Sequence, residues 1–410
     1  MTDKASTARS APGQGGARLM SVDALRGFDM FWIIGADSLL TSINRQRETG
    51  IMKTLADQLD HAAWEGFRFY DLIFPLFVFI VGISLVFSLG RTLATSGRTE
   101  ALKRIVRRSV LLFAIAILYS GGFSRTWPDI RLLGVLNRIA LCYFFTSLCF
   151  CFFKPRVLVA ICAALLVGYW GLMTFVPFPD VRPVNASGEL LSPQLTATNT
   201  AQLNFASTNR LRGVFEPGVN LSNYLDQKYL PGMKWDKTWD PEGLLSTLPA
   251  IATCLLGVFA GFLLQNRAVD DRKKVLWLAV AGVAGVGAGF LWGLQFPVIK
   301  KIWTSSYVLV AGGFSALLLG FFYLVVDVWQ YRKWCQPFVW IGMNSITVYM
   351  ANNVIGFHHL AARFAGGDIQ NFFDTHVTPG FGDLVVELVG LGMAIGFVYF
   401  LYRKRIFLRL

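Results

Sequence analysis

Charge is scarce in this sequence. Of its 410 residues only 15% are Asp, Glu, Lys or Arg, while 54% are hydrophobic; a soluble domain carries roughly 25% charged residues because it faces water over most of its surface. A soluble enzyme is excluded on that ground. Cysteine is also scarce. Cys142, Cys149, Cys151, Cys162, Cys254 and Cys335 sit mostly inside apolar runs without Cys-x-x-Cys spacing, so neither a disulfide framework nor a metal site is expected. No Walker A loop is present. The glycines at 282, 285, 287 and 289 lack the strand-to-helix setting of a dinucleotide fingerprint and instead suit close helix packing, within one chain or in a homo-oligomer. Acidic residues are outnumbered 25 to 38 by Lys and Arg, a net charge of +13. In a hydrophobic chain that excess is read first as cytoplasmic loops against lipid headgroups, and no nucleic-acid partner is expected.

What is there is a series of long apolar runs, near 25–43, 71–90, 106–123, 132–153, 156–178, 244–265, 274–294, 303–327, 337–357 and 381–402. Each is long enough to cross a hydrocarbon core that takes about 20 residues of helix. The sequence therefore predicts an all-α polytopic membrane bundle of about ten transmembrane helices. Arg91, Arg98, Lys103, Arg104, Lys154, Arg156, Arg267, Lys273, Arg332, Lys333 and Arg403–Arg405 all fall on one side of that arrangement, which makes that side cytoplasmic and puts both termini there. Residues 1–20 read as a disordered cytoplasmic tail without the apolar core of a signal peptide, and 21–410 as a single transmembrane domain. The polar stretch 179–243, with Pro, Asn, Trp and Tyr, reads as a folded cap on the outer face. Its Asn220-Leu221-Ser222 fits the short glycosylation pattern, which is frequent by chance.

Ionisable and polar residues at membrane depth are functional candidates because lipid penalises them by several kcal/mol. Asp23 and Arg26 stand three apart on one helical face, as an ion pair or as part of a ligand site. Asp29 and Asp327 read as structural. Arg104, Arg107 and Arg108 read either as an anchor on lipid phosphates or as forks for a cytosolic polyphosphate. Asp37, Asp71, Arg138, Asn344, Ser345 and Asn352 complete the set. Among the four histidines, His61 stands out for its surroundings. It opens a run with Trp64, Glu65, Tyr70 and Asp71 at the entrance to the second span, an imidazole beside carboxylates at a membrane boundary, which proton transfer to or from an amine or hydroxyl requires. His358 and His359 read as lining the outer vestibule.

At this point the sequence resembles the heparan-α-glucosaminide N-acetyltransferase family. The resemblance rests on ordered blocks: Ser21-Val22-Asp23-Ala24-Leu25-Arg26-Gly27; His61-Ala62-Ala63-Trp64-Glu65-Gly66 followed by Asp71-Leu72-Ile73-Phe74-Pro75; Arg107-Arg108-Ser109; and Gly134-Val135-Leu136-Asn137-Arg138. It continues with Asp240-Pro241-Glu242-Gly243, Lys301-Ile302-Trp303-Thr304 and Gly342-Met343-Asn344-Ser345-Ile346. It implies that acetyl-CoA is taken from the cytosol as co-substrate, that its acetyl group goes to an amino sugar on the lumenal or periplasmic side, and that His61 is catalytic. Where the lysosomal enzyme has an active-site Asn this chain has Asp37, and Ala351-Asn352-Asn353 stands where that enzyme has a histidine, so acceptor contacts are expected to differ.

The chemistry that follows is proton removal. An amino sugar is mostly an ammonium near neutral pH and has no lone pair until a base takes its proton; an imidazole, titrating near about 6.5, is suited to this. His61 is then either a general base, with Asp37 or Asp71 orienting it or holding the ammonium, or a covalent acetyl carrier. Arg107, Arg108 and Arg138, with Asp23 and Arg26, are expected at the CoA site, and Trp64, Glu65, Asn344, Ser345 and Asn352 at the acceptor. An amino-sugar carrier and a polysaccharide O-acetyltransferase are the alternatives; the two halves show no duplicated pattern of the kind that marks many carriers. A bacterial inner membrane is the expected location.

Overall fold

In the computed structural model the described residues are 19–36, 51–185 and 187–408. The tail expected over 1–20 falls almost wholly outside them, and so does Asp37.

The first helix, α1 (Met20–Phe31), runs on as a π-turn over Trp32–Ala36. A short α2 (Ile51–Leu59) and a 3-10 turn (Phe69–Leu72) lead into α3 (Ile73–Tyr119), 47 residues long. A straight helix of that length would measure about 70 Å, more than twice the hydrocarbon thickness of about 30 Å. It is not straight. Gly97, at φ 79°, breaks it, and the arm beyond returns antiparallel: Arg104 Nη1 donates to Thr92 Oγ1 at 2.9 Å, although twelve residues of straight helix would separate them by about 18 Å. Only a residue without Cβ takes that backbone conformation at little cost.

The chain continues through α4 (Val135–Phe152), α5 (Pro155–Phe175), the cap with its helix α6 (Leu221–Tyr229), α7 (Thr247–Gln265), α8 (Asp271–Gly293) and α9 (Ser305–Phe322), which ends in a π-turn over Tyr323–Val328. After α9 come α10 (Gln336–Met343) and α11 (Ser345–Ile355), then α12 (Phe357–Ala365), α13 (Asp368–His376) and α14 (Phe381–Arg403). Seven helices are long and apolar enough to cross a membrane. One of the seven is the folded α3, whose two arms make two candidate spans. The extended α1 and the α10–α11 pair, interrupted at Asn344, lack an unbroken α-helix of that length, and counting them and both arms of α3 brings the candidate spans among the described residues to the ten expected. The protein is an all-α polytopic membrane protein.

Burial separates centre from rim. In α3, α7 and α9 the apolar windows are 78, 72 and 67% buried, against 28, 17 and 33% in α5, α8 and α14. The rim helices present Val157, Val167, Leu276, Trp277 and Val283 outward, a surface that only lipid solvates cheaply. The glycine stripe of α8 is used within the chain: a Cβ on Gly285 or Gly289 would meet α9 backbone at 3.3 Å or less, so these glycines bring α8 against α9. All six cysteines are free.

The cap is folded. Phe178–Pro179 pairs antiparallel with Arg210–Leu211, and Tyr169, Phe178, Leu221, Phe296, Ile299 and Ile302 form a small core beneath it. Asn220 is fully buried and caps α6, its side chain accepting from Asn223 N at 2.9 Å. A glycan there would have no room, so the sequence match at 220–222 has a structural cause.

Candidate active site

The site is built where two loops meet under the cap. After α2 the chain turns through His61 and wraps around the Asp71 carboxylate, which accepts from Ala62 N at 3.2 Å and Arg68 N at 3.1 Å. Asp71 sits in the first turn of the helical segment that becomes α3, where free backbone N–H groups and the helix dipole favour an anion. From α9, Tyr307 OH donates to the Asp71 carbonyl at 2.7 Å. The carboxylate is therefore fixed before it meets the imidazole. His61 Nδ1 lies 2.9 Å from Asp71 Oδ1, with the His61 side chain 48% exposed and that of Asp71 1%. The imidazole leans on the Tyr70 ring at 4.9 Å.

The second loop joins α8 to α9. Its backbone pairs with the His61 loop: Glu65 bridges Ile299, and Gly66 N donates to Val298 O at 2.9 Å. That pairing carries Lys300 across 239 residues of sequence to His61, with Nζ 3.0 Å from Nδ1 and 3.3 Å from Nε2, and 3.4 Å from Asp71 Oδ1. Burial pulls the Lys300 ammonium below the ordinary lysine value, against the opposing pull of Asp71. The neighbouring Lys301 turns away to Asp236 at 3.0 Å.

A cavity of about 390 Å³ opens beside this cluster, within the range of small-molecule sites, about 300–1,000 Å³. His61, Lys300, Arg131 and Glu242 supply its polar rim; Met30, Phe77, Ala116 and Ile139, from four transmembrane segments, line its apolar floor. Arg131 anchors the rim: it grips Asp240 through two hydrogen bonds of 2.9 and 2.7 Å, reaches Glu242 at 2.7 Å and stacks its guanidinium on Trp235. Burial, then repulsion from Asp240, pushes the Glu242 carboxyl up to about 7. Removing the guanidinium leaves the fully buried Asp240 charge uncompensated, which typically costs about 3–5 kcal/mol. Arg131→Ala is therefore expected to lower the thermal unfolding midpoint in detergent well beyond any exposed-arginine control such as Arg363→Ala; equal midpoints would contradict the assignment of this network as the cap's anchor.

The other residues singled out from sequence fall as follows. Trp64 donates Nε1 to Phe215 O at 2.8 Å and packs edge-on against Trp239, tying the loop to the cap. Glu65 is exposed and enters the site only through its backbone pairing. Arg138 is buried, with Nη2 donating to Gly243 O at 3.2 Å and to Ser246 Oγ, and its guanidinium over the Trp303 ring. Arg107 is exposed, and Arg108 stacks on Tyr143 at 4.6 Å. Asp23 and Arg26 form an i,i+3 pair at 3.5 Å, and Arg26 also donates to Ser84 Oγ of α3. Asn344, at the break between α10 and α11, is buried with neither side-chain amide atom hydrogen-bonded among the described residues; Ser345 is buried and Asn352 half-buried. Asp327 accepts from Ser21 N at 3.1 Å, a structural tie. Asp29, read as structural, is fully buried with neither carboxylate oxygen hydrogen-bonded among the described residues. His358 finds an acidic partner from a distant helix, Glu387, at 2.9 Å. Among the described residues no cluster of three or more potential metal ligands occurs.

Sequence reasoning missed Lys300, Arg131 and Glu242 as site residues. Of these only Glu242 carried a signal, its place in the Asp240-Pro241-Glu242-Gly243 block.

Residues 18–237 match the family model of the heparan-alpha-glucosaminide N-acetyltransferase catalytic region. The chain is 28% identical over 389 residues to the heparan-alpha-glucosaminide N-acetyltransferase of Mus musculus, covering 85% of this chain and 56% of the mouse protein. It is likewise 28% identical over 389 residues to that of Homo sapiens, covering 85% and 55%. The chain thus spans about half the length of the curated relatives it matches.

Proposed function

Because the chain belongs to the heparan-alpha-glucosaminide N-acetyltransferase family, we propose that it is a membrane acetyltransferase that moves an acetyl group from cytosolic acetyl-CoA to the amino group of a glucosamine-type sugar on the cap side. The observation that carries this reading is the His61–Asp71 pair, 2.9 Å apart, with His61 on the polar rim of a cavity whose floor is apolar. Orientation follows from charge: the Gly97 end carries Arg98, Lys103, Arg104, Lys154, Arg156, Lys273 and Lys333, which marks it as cytoplasmic.

With Nδ1–H donating to Asp71, the Nε2 lone pair of His61 is the base, with Lys300 Nζ 3.3 Å from it. It takes a proton from the acceptor ammonium. The amine nitrogen then attacks the thioester carbonyl, a C–N bond forms, and the carbonyl π pair moves onto oxygen. When that tetrahedral species collapses the C–S bond breaks: His61 hands the proton it holds to the departing CoA sulfur, then takes the second proton from nitrogen and releases it to water. Glu242, held near neutrality by burial and Asp240, faces the same cavity and suits an ammonium or sugar hydroxyl. Asn344 supports the path of the pantetheine arm: an unpaired amide at membrane depth costs energy unless a ligand amide satisfies it. Arg107 and Arg108, towards the basic end, are suited to the CoA phosphates.

The test is purified protein in detergent with acetyl-CoA and either glucosamine or an O-acetyl acceptor, following free thiol. Thiol release that depends on the amine is the expected result. Release only with the hydroxyl acceptor would make the protein an O-acetyltransferase, and vesicle uptake of glucosamine without thiol release would make it a carrier.

A further inference from the structure

Lys300 has no part in the base chemistry above, yet it is the residue most tightly placed against it. A lysine drawn into a protein interior loses several kcal/mol of hydration and needs compensation. Asp71 supplies some, but at 3.4 Å, a longer approach than the 3.0 and 3.3 Å to the two imidazole nitrogens. Asp71 is meanwhile occupied by His61 Nδ1 and by two backbone N–H donors. The Lys300 ammonium, with three N–H bonds, thus stands on the cavity wall beside the nitrogen that must face substrate. An acceptor amine hydrogen-bonded to Nε2 and attacking a carbonyl brings that carbonyl's oxygen within reach of Nζ. A cation at that place is worth most where charge appears only as the reaction proceeds.

We propose that Lys300 is a third catalytic residue, whose ammonium takes up the negative charge that develops on the thioester carbonyl oxygen during acetyl transfer. This rests on the acetyltransferase reading above. In the step concerned, the C–N bond forms as the carbonyl π pair becomes an oxyanion beside Nζ, while the amine proton passes to His61; collapse restores the C=O bond and expels the CoA sulfur. Lys300 neither gains nor loses a proton. The same placement gives it a second consequence: the reaction requires the charged form. Burial and the cation of Lys301 favour the neutral amine, whereas Asp71 and Glu242 favour the ammonium. His61, Asp60, Arg68, Tyr70 and Tyr307 are the other titratable groups around the cluster. Because the Lys300 value is lowered, its proton is lost below the ordinary lysine range, and turnover should fall on the alkaline side as it goes.

The experiment compares wild type, Lys300→Met and Lys300→Arg, each checked for an unchanged thermal midpoint, in the thiol-release assay from pH 6 to about pH 10.5, spanning the ordinary lysine value. Lys300→Met is expected to lose about 10²- to 10³-fold in kcat, the usual cost of one oxyanion donor, with KM for acetyl-CoA unchanged. Lys300→Arg should retain turnover and lack the alkaline fall, since a guanidinium keeps its proton throughout. Should Lys300→Met not fold, the alkaline limb of Lys300→Arg decides alone: a limb identical to wild type overturns the proposal. So does a Lys300→Met enzyme within about three-fold of wild-type kcat, or one whose loss lies in KM. If the wild type releases no thiol with any amine, the acetyltransferase reading fails instead, and the two failures are distinct.

Discussion

His61→Ala is expected to lower amine-dependent thiol release by about 10²- to 10⁴-fold, the usual contribution of a positioned general base. The loss should sit in kcat, because the cavity floor from Met30 to Ile139 is untouched and the acetyl-CoA path does not run through the imidazole. Stability should change little. The His61 side chain is half exposed, and Lys300 remains 3.4 Å from Asp71 to balance its charge. The same variant separates the two routes open to the imidazole. In a rapid-quench experiment with radiolabelled acetyl-CoA and no acceptor, protein-bound label on wild type but not on His61→Ala marks an acetyl-imidazole, whereas absence of label on both leaves the base route alone. Wild-type turnover in His61→Ala would remove this histidine from the chemistry.

Asp71→Asn is expected to be nearly as damaging and to differ in kind. The amide keeps the shape of the carboxylate but loses its charge, so nothing stabilises the imidazolium that forms as His61 takes the proton, and the tautomer with Nδ1–H is no longer enforced; the expected loss in kcat is about 10²- to 10⁴-fold. Structure suffers too. One carboxylate oxygen accepts from both Ala62 N and Arg68 N, the other from His61 Nδ1, so one half of the amide must turn an NH₂ group towards a donor. The Lys300 ammonium also loses its buried counter-charge, and breaking such a pair costs about 3–5 kcal/mol. Thermal unfolding in detergent should therefore drop for Asp71→Asn and hold for His61→Ala. Equal stability of the two variants would mean that Asp71 does not organise the loop.

These two residues were legible because they are close in sequence. Ten positions apart, flanked by aromatics at a span entrance, they form a local pattern of imidazole and carboxylate that composition alone makes unusual, and the family resemblance points at the same histidine. Lys300 was not legible. In sequence it is one of the few cations of an outer loop, and it reaches His61 only because the Glu65 and Ile299 backbones pair, an interaction that leaves no side-chain signature. Trp64 is expected at the acceptor; the structure adds that its indole N–H ties the loop to the Phe215 carbonyl, which no local pattern signals. The seven long helices and the remaining apolar runs were readable from apolar length. How the second run meets the third was not, because Arg91 and Thr92 before Gly97 and Arg98, Glu100, Lys103 and Arg104 after it are all compatible with helix, and Gly97 alone turns the chain. Asp29 shows the opposite limit: a lone acid near a span end looks ordinary in sequence, and only packing reveals that both its oxygens are buried with no partner among the described residues.

The central claim is that one protein connects acetyl-CoA on its basic end with an amine on its cap side. The direct measurement uses proteoliposomes loaded with glucosamine, the protein oriented with its Gly97 end outward, and acetyl-labelled acetyl-CoA added outside. The account predicts labelled N-acetylglucosamine inside the vesicles and an equal amount of free CoA thiol outside, both lost in His61→Ala. Thiol release only when both substrates share one side, or glucosamine leaving the vesicles unacetylated, would contradict it.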